Sequence, residues 1–155
     1  MTRATLTLDL VDEQDLPEPL RELATRVARS AADATGLRGA VALRICSDAE
    51  MRQLNGQFRD VDKPTDVLAF PPDGAGTGSD PESVGDVALS YERVVRQGQA
   101  HGHGTEREFA YLVTHALLHL AGFTHDDAEE YRRMRNVEEE ILASIGLTRD
   151  PVPAA

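Results

Sequence analysis

The segment from Thr105 to Gly122 places the tightest constraint on the fold, because it predicts a long helix with one apolar face. Thr105 and Glu108 fit a capping box at its start, and Gly122 fits the left-handed residue that follows a helix. A helix with a broad apolar stripe has to be covered by other elements, so we predict that this helix lies in the core. Its apolar residues recur at helical spacing: Phe109, Leu112, Val113, Ala116, Leu117 and Leu120.

Four other stretches predict β-strands. Residues 6–10 alternate leucine with polar residues, which is typical of a strand with one buried face. Apolar alternation at 41–45, the apolar run at 67–70 and the segment 85–90 predict three more strands.

Helical spacing predicts further helices around these strands. One helix is predicted from Leu20 to Gly36, which fits a left-handed cap. Ser47 and Glu50 form a capping box for a short second helix, and helical pattern dominates from Tyr91 onward.

The length of 155 residues fits one domain, which we predict over residues 1–148. Glycine, proline, serine and aspartate dominate residues 72–83, so we expect a mobile loop there, and a disordered tail at 149–155. No apolar run approaches the roughly 18 to 20 residues of a membrane span, and no signal segment is visible. The single cysteine, Cys46, excludes an intramolecular disulfide and is expected to be buried, which suits a cytoplasmic protein without a membrane partner.

The net charge of −11 opposes long-range attraction to nucleic acid. Chemistry on a phosphate group would therefore need a local basic cleft. Arg52, Arg59 and Lys63 lie close together in the sequence and could supply one, although charge runs of this kind most often form a solvated face.

Three of the five histidines, His115, His119 and His125, have a spacing that predicts a metal site. His115 and His119 lie one turn apart on one flank of the predicted helix. A left-handed turn at Gly122 would return His125 to the same flank. Three imidazoles leave one open position on a tetrahedral zinc ion, so we predict one zinc per chain. His101 and His103 are interpreted as loop residues and not as ligands.

Ala116 argues against peptide hydrolysis at such a site. Metalloproteases with this histidine spacing carry glutamate after the first histidine, where it takes a proton from the attacking water. Alanine has no group for this step. A substrate that already bears negative charge, such as a phosphodiester, fits better, and Arg59 is the candidate to contact its phosphate.

Several segments resemble, in order and spacing, the bacterial YbeY family. They are LNGQFRDVDKPTDVLAFP (54–71), GDVALS (85–90), EREFAYLVTHALLHLAGFTHDD (106–127) and the downstream residues Met134, Glu138, Ile141 and Leu142. The combination of DKPTDVLAFP with the three-histidine segment is highly specific. The resemblance implies an α+β fold of the zincin-like kind, with a mixed four-stranded sheet packed with about five helices.

The resemblance also implies a function for residues 1–148 as a catalytic domain. The family is a zinc-dependent, single-strand endoribonuclease that acts in ribosomal RNA maturation, notably at the 3′ end of the small-subunit (16S) RNA, and in ribosome quality control. Its metal histidines correspond to His115, His119 and His125, and its catalytic arginine to Arg59. The implied partners are single-stranded ribosomal RNA, the small ribosomal subunit with its proteins, and an assembly GTPase, but not DNA.

This chain departs from the family pattern at two positions. Ala116 replaces the usual glycine; alanine favours the helix by about 1 kcal/mol, but its methyl group could narrow a cleft. Thr124 replaces the usual aspartate and removes a carboxylate beside the predicted metal. Two other functions stay open at this point: a metalloprotease-like hydrolase, and a noncatalytic ribosome assembly factor with a structural metal and an acidic surface for basic proteins.

Overall fold

The computed structural model describes residues 5–12, 16–59, 65–71 and 83–147, without the side chains of Asp12, Phe58 and Arg59. Its elements are β1 (Leu6–Asp12), α1 (Glu18–Thr35), β2 (Gly39–Cys46), α2 (Asp48–Arg59), β3 (Val67–Phe70), β4 (Ser83–Ser90), α3 (Tyr91–Ala100), α4 (Gly104–Leu120) and α5 (Ala128–Ser144). The predicted loop at 72–83 lies outside the described residues except for Ser83, which already belongs to β4. The predicted tail at 149–155 lies outside them entirely.

The four strands form one mixed sheet in the order β1-β2-β4-β3. β1, β2 and β4 run parallel to one another, and the edge strand β3 runs antiparallel to β4. Parallel neighbours need a long crossover, and α1 supplies it between β1 and β2. With five helices in the described part of the chain, this architecture confirms the predicted α+β class.

The two faces of the sheet bury different sets of side chains, because successive residues of a strand point to opposite faces. Leu43 and Ile45 of β2 belong to the main core with α1 and α4. Cys46 points to the other face, where α2 covers it through Met51. Cys46, the single cysteine of the chain, is fully buried, as predicted.

Two predicted helix caps are confirmed, one at the C-terminus of α1 and one at the N-terminus of α2. Gly36 follows α1 with a φ of 80°, and its N–H donates to the carbonyl oxygen of Ala32. The Glu50 carboxylate accepts from the N–H of Ser47 at 2.9 Å, and the N–H of Glu50 donates to the Ser47 hydroxyl at 3.1 Å. These reciprocal bonds start α2.

The predicted capping box of α4 is wrong. The helix begins at Gly104 with His103 at the N-cap position, so Thr105 already lies inside the first turn. Glu108 does not reach back to the backbone. Its carboxylate, which is 2% exposed, contacts the rings of His101 and His103 and the amide of Gln97. The side chains of His101, His103 and Gln97 thus provide the hydrogen-bonding partners that the buried carboxylate of Glu108 needs. In a capping box, this carboxylate would instead have lain at the helix surface.

α4 lies at the centre of the molecule, as its apolar stripe predicts. It contacts α1, α3, α5, β3 and β4, and Phe109 and Val113 have no exposed surface. One flank of α4 stays open, and His115 and His119 lie on it, half-buried. Within the described ranges, no helix combines the length and apolarity needed to cross a bilayer.

Candidate metal centre

His115 and His119 face each other across one turn of α4. Their Nε2 atoms are 3.1 Å apart, and their ring centroids are 4.6 Å apart. Two ligands of one tetrahedral zinc ion lie about 3.3 Å apart, given ligand distances of about 2.0–2.1 Å. The helix alone therefore brings two nitrogens to the separation that one ion requires.

His125 reaches the same place because of the turn that ends α4. Gly122 has a φ of 101°, its N–H donates to the carbonyl oxygen of His119, and the N–H of Phe123 donates to that of Leu118. This pair of bonds is a Schellman motif, which reverses the chain direction. The His125 ring centroid lies 5.6 Å from that of His115 and 5.1 Å from that of His119.

The three predicted histidines are thus brought together. One ligand atom from each lies within 4.8 Å of the other two. His115 and His119 are half-buried and His125 is exposed, so the cluster opens to solvent on one side. The group could hold a metal ion whose remaining position is accessible.

The outer nitrogens of two rings are held by acceptors. Nδ1 of His115 lies 2.5 Å from the carboxylate of Glu138, and Nδ1 of His119 lies 3.1 Å from the carbonyl oxygen of Phe123. A carbonyl oxygen and an ionised carboxylate can only accept, so both Nδ1 atoms carry the proton. The two Nε2 atoms, 3.1 Å apart, are then the nitrogens available to a metal ion. This separation is close to that of two ligands of one zinc ion, so the donor set fits a metal.

The electrostatic environment also favours a neutral His119 ring. Burial lowers the pKa of His119, and the neighbouring His115 and His125 lower it further. Neutral imidazole is the form that binds a metal. Tyr111, whose ring centroid is 5.9 Å from that of His115, has a raised pKa because of burial and the nearby Glu138, so it stays an uncharged phenol.

A cleft of about 610 Å³ opens beside the histidines, between α4 and the edge strand β3. Ala116 is buried at its wall, and Asp66 is the one carboxylate among the described residues that line it. Asp66 accepts from the N–H of Val67 at 2.8 Å and from the amide of Gln97 at 3.3 Å. The lining residues are Asp66, Val67, Ala69, Pro71, Val84, Tyr111, Leu112, His115, Ala116, His119, Leu120 and His125.

The other residues singled out in the sequence lie outside the three-histidine cluster or beyond the described side chains. Arg59 is the last residue of α2, but its side chain lies outside the described part of the structure, so its predicted role stays a prediction. Thr124 is exposed in the turn before His125. His101 and His103 lie in the turn between α3 and α4, as predicted, and both contact Glu108.

Sequence reasoning did not assign a role to Glu138. This residue is 1% exposed and reaches His115 from α5, 23 positions along the chain. The sequence does contain an indication of its burial, because Glu138 shares one face of α5 with Met134, Ile141 and Leu142. A carboxylate on a buried helix face needs a partner, and an imidazole that binds a metal is a frequent one.

Comparisons with known proteins identify the family of this chain. A family model described as Endoribonuclease YbeY matches residues 8–146. A relative from Chloroflexus aurantiacus, named Endoribonuclease YbeY, is 45% identical over 116 residues, which are 71% of this chain and 75% of the relative. A relative of the same name from Pelotomaculum thermopropionicum is 38% identical over 149 residues, which are 93% of this chain and 98% of the relative.

A solved structure shows the same fold. The solution structure of TM1509 from Thermotoga maritima matches with a TM-score of 0.59 over 96% of this chain and 99% of that chain, at 23% identity. The family match spans every element of the described structure except the first two residues of β1. The chain therefore belongs to the endoribonuclease YbeY family.

Proposed function

We propose that this chain is a metal-dependent endoribonuclease that cleaves single-stranded RNA during ribosomal RNA processing. The observation that carries the proposal is the convergence of His115, His119 and His125, whose ligand atoms lie within 4.8 Å of one another. Family membership supports the type of reaction.

The proposed metal is one zinc ion per chain, held by these three histidines. Three neutral nitrogens leave a tetrahedral zinc one position for water or substrate. A zinc ion in such a site lowers the pKa of water toward about 7 and polarises a phosphoryl oxygen. Glu138 and the carbonyl oxygen of Phe123 orient two of the rings, so they would fix the direction from which the Nε2 atoms of His115 and His119 hold the ion.

The cleft chemistry favours a phosphodiester over a peptide. Ala116 offers no proton acceptor where a metalloprotease has glutamate. Asp66, the one carboxylate among the described lining residues, does not take the place of that glutamate, because both of its oxygens already accept hydrogen bonds, one of them from a backbone N–H. A phosphate needs a cation instead, and we assign that role to Arg59, which would hold the scissile phosphate through two parallel N–H donors.

The finer assignments belong to the same proposal. We propose that the substrate is the 3′ end of 16S ribosomal RNA and that the protein also serves ribosome quality control in the cytoplasm. Its partners would be the small ribosomal subunit, its basic proteins and an assembly GTPase. The net charge of −11 supports protein partners, since a negative surface attracts basic proteins and repels naked RNA.

The decisive experiment compares the parent with His119→Ala. After dialysis, the parent should retain about one zinc per chain and cleave a short single-stranded RNA, but not the matching duplex, in single-turnover conditions. The variant should lose both the tightly bound zinc and the cleavage, because two imidazoles cannot replace three. Full retention of zinc in the variant contradicts the ligand assignment. Retention of zinc by the parent without any RNA cleavage favours the noncatalytic assembly factor.

A further inference from the structure

A second cluster of metal-binding side chains lies at the other end of α4. His101 and His103 come from the turn between α3 and α4, and Glu108 comes from the second turn of α4. One ligand atom from each of the three lies within 4.8 Å of the other two. Glu108 precedes His115 by seven residues, so the two clusters lie about 10 Å apart along the helix axis.

Glycines build the turn that carries the two histidines. Gly102 and Gly104 alternate with them and have φ values of 75° and 85°, which other residues adopt only at a cost. Gly98 lets the end of α3 approach this turn closely, because a Cβ atom there would lie 2.6 Å from the backbone of Gly104. The backbone therefore holds both imidazoles against α4 before any ion arrives.

The carboxylate of Glu108 is also positioned in advance. The amide of Gln97 donates to Oε2 of Glu108 at 2.7 Å, which leaves Oε1 to face the two histidines. The same amide lies 3.3 Å from Asp66, at the wall of the histidine cleft. A ligand carboxylate whose second oxygen is hydrogen-bonded in this way is typical of metal sites.

The distances suit an ion with only a small adjustment. Nδ1 of His101 lies 3.2 Å from Oε1 of Glu108, which is close to the separation of about 3.3 Å expected for two ligands of tetrahedral zinc. Nε2 of His103 lies 2.6 Å from the same oxygen, where it now forms a hydrogen bond. Replacement of that shared proton by an ion requires this gap to widen by about 0.7 Å.

Solvent can reach the cluster. The side chain of His101 is 56% exposed and that of His103 is 22% exposed, whereas that of Glu108 is 2% exposed. The three residues line a cleft of about 400 Å³ together with Arg107, Tyr111, Arg135 and Glu139. An ion bound there would keep open positions toward this cleft.

We propose that His101, His103 and Glu108 form a second binding site for a divalent transition-metal ion, separate from the catalytic centre. Two imidazoles and one carboxylate are a donor set that suits zinc and similar ions. An ion has to displace the hydrogen bond between His103 and Glu108, which makes this site weaker than the three-histidine centre, so its ion is lost on dialysis and returns when metal is added. A bound ion ties the α3–α4 turn to α4 and adds positive charge beside the buried carboxylate of Glu108.

The test uses a protein in which the catalytic centre cannot bind. His119→Ala combined with His125→Ala leaves one imidazole there, and titration with Co²⁺ alone should still load about one ion per chain. The visible absorption of the bound Co²⁺ reports its ligands, and added Zn²⁺ should displace it. Zn²⁺ alone should also raise the Tm of this variant.

A third substitution, either His103→Gln or His101→Gln, should remove the Co²⁺ absorption and the rise in Tm. Glutamine keeps an N–H donor for Glu108, so loss of metal binding with an unchanged circular dichroism spectrum separates ligation from a purely structural hydrogen bond. The proposal is overturned if the double variant binds no Co²⁺, or if binding is unaffected by both glutamine substitutions. Neither result depends on RNA cleavage, so the proposed endoribonuclease function is tested separately.

Discussion

The carboxylate of Glu138 on α5 lies 2.5 Å from Nδ1 of His115 on α4. The guanidinium of Arg135, one turn earlier on α5, lies 3.7 Å from the other oxygen of Glu138 and 3.5 Å from the hydroxyl of Tyr111. His115, a proposed metal ligand, is therefore held by a helix none of whose described residues line the histidine cleft. This contact connects the packing of α5 with the direction in which His115 presents its lone pair.

Replacement of Glu138 by glutamine should weaken zinc binding. The uncharged amide still fills the space but holds the His115 ring less firmly, and the loss of a contact of this kind typically costs about 10- to 100-fold in metal affinity. Competition with a coloured chelator measures the affinity. Glu140→Gln, at an exposed position of the same helix, is the matched control and should match the parent. Equal affinities for both variants would show that the Glu138 contact serves packing alone.

Replacement of Arg59 by alanine should slow RNA cleavage by about 10² to 10³, because an electrostatic stabiliser of the transition state is lost. Metal content and Tm should stay nearly unchanged. Arg59→Lys should recover only part of the rate, since an ammonium group cannot make the two-pronged contact. Raising the salt concentration should weaken RNA binding less in Arg59→Ala than in the parent.

Single-turnover cleavage of a short single-stranded RNA measures the effect of Arg59. Arg52→Ala, which removes an exposed arginine two turns earlier on α2, controls for the loss of general positive charge. If Arg59→Ala, Arg59→Lys and the parent cleave at the same rate, Arg59 has no catalytic role.

Asp48 should stabilise the contact between α2 and α3 in a pH-dependent way. Its carboxylate accepts from the hydroxyl of Ser90 at 2.7 Å, from Arg93 at 3.1 Å and from Arg96 at 2.7 Å. Burial alone would raise the pKa of Asp48, but the hydrogen bonds from Ser90 and Arg96 and the charges of both arginines lower it below 3.8. The stabilisation is thus complete at neutral pH and is lost as the pH falls below 3.8 through the folded-state pKa.

Asp48→Asn should lower the free energy of unfolding by about 1–3 kcal/mol at neutral pH. Urea unfolding of parent and variant at neutral and at acid pH measures the difference, which should shrink in acid. Asp33→Asn, at an exposed position of α1, is the control and should show no such pH-dependent difference. A difference for Asp48→Asn that does not change with pH would mean that the charge of Asp48 is not the source of the stability.

Gly85→Ala should destabilise the fold more than an alanine at another left-handed glycine. Gly85 has a φ of 142°, and a Cβ atom there would lie 2.6 Å from both Leu120 Cδ2 and the carbonyl oxygen of Phe70. The clash and the backbone strain together should cost about 3 kcal/mol. Gly36→Ala, at a φ of 80° with open space around it, should cost about 1 kcal/mol. Thermal unfolding of both variants compares the costs, and equal losses would mean that β4 and α4 adjust freely.

The order of strands and helices and the three-histidine cluster could be predicted from the sequence. These features follow from local patterns: alternation in strands, the apolar stripe of α4, and the Gly122 turn that directs His125 back. Side chains three or four residues apart on a helix must be neighbours, so the pairing of His115 with His119 required no knowledge of the fold.

Only the tertiary structure placed Glu138 against His115 and Glu108 against His101 and His103. The Thr105–Glu108 spacing equally fits a capping box, and the structure contradicts that prediction because the buried carboxylate binds side chains of the preceding turn. The spacing of residues along the sequence determines which groups a side chain can reach within its own helix. Which of these contacts forms depends on the helices and turns that pack around it, because a buried carboxylate takes whichever donors the assembled core places beside it.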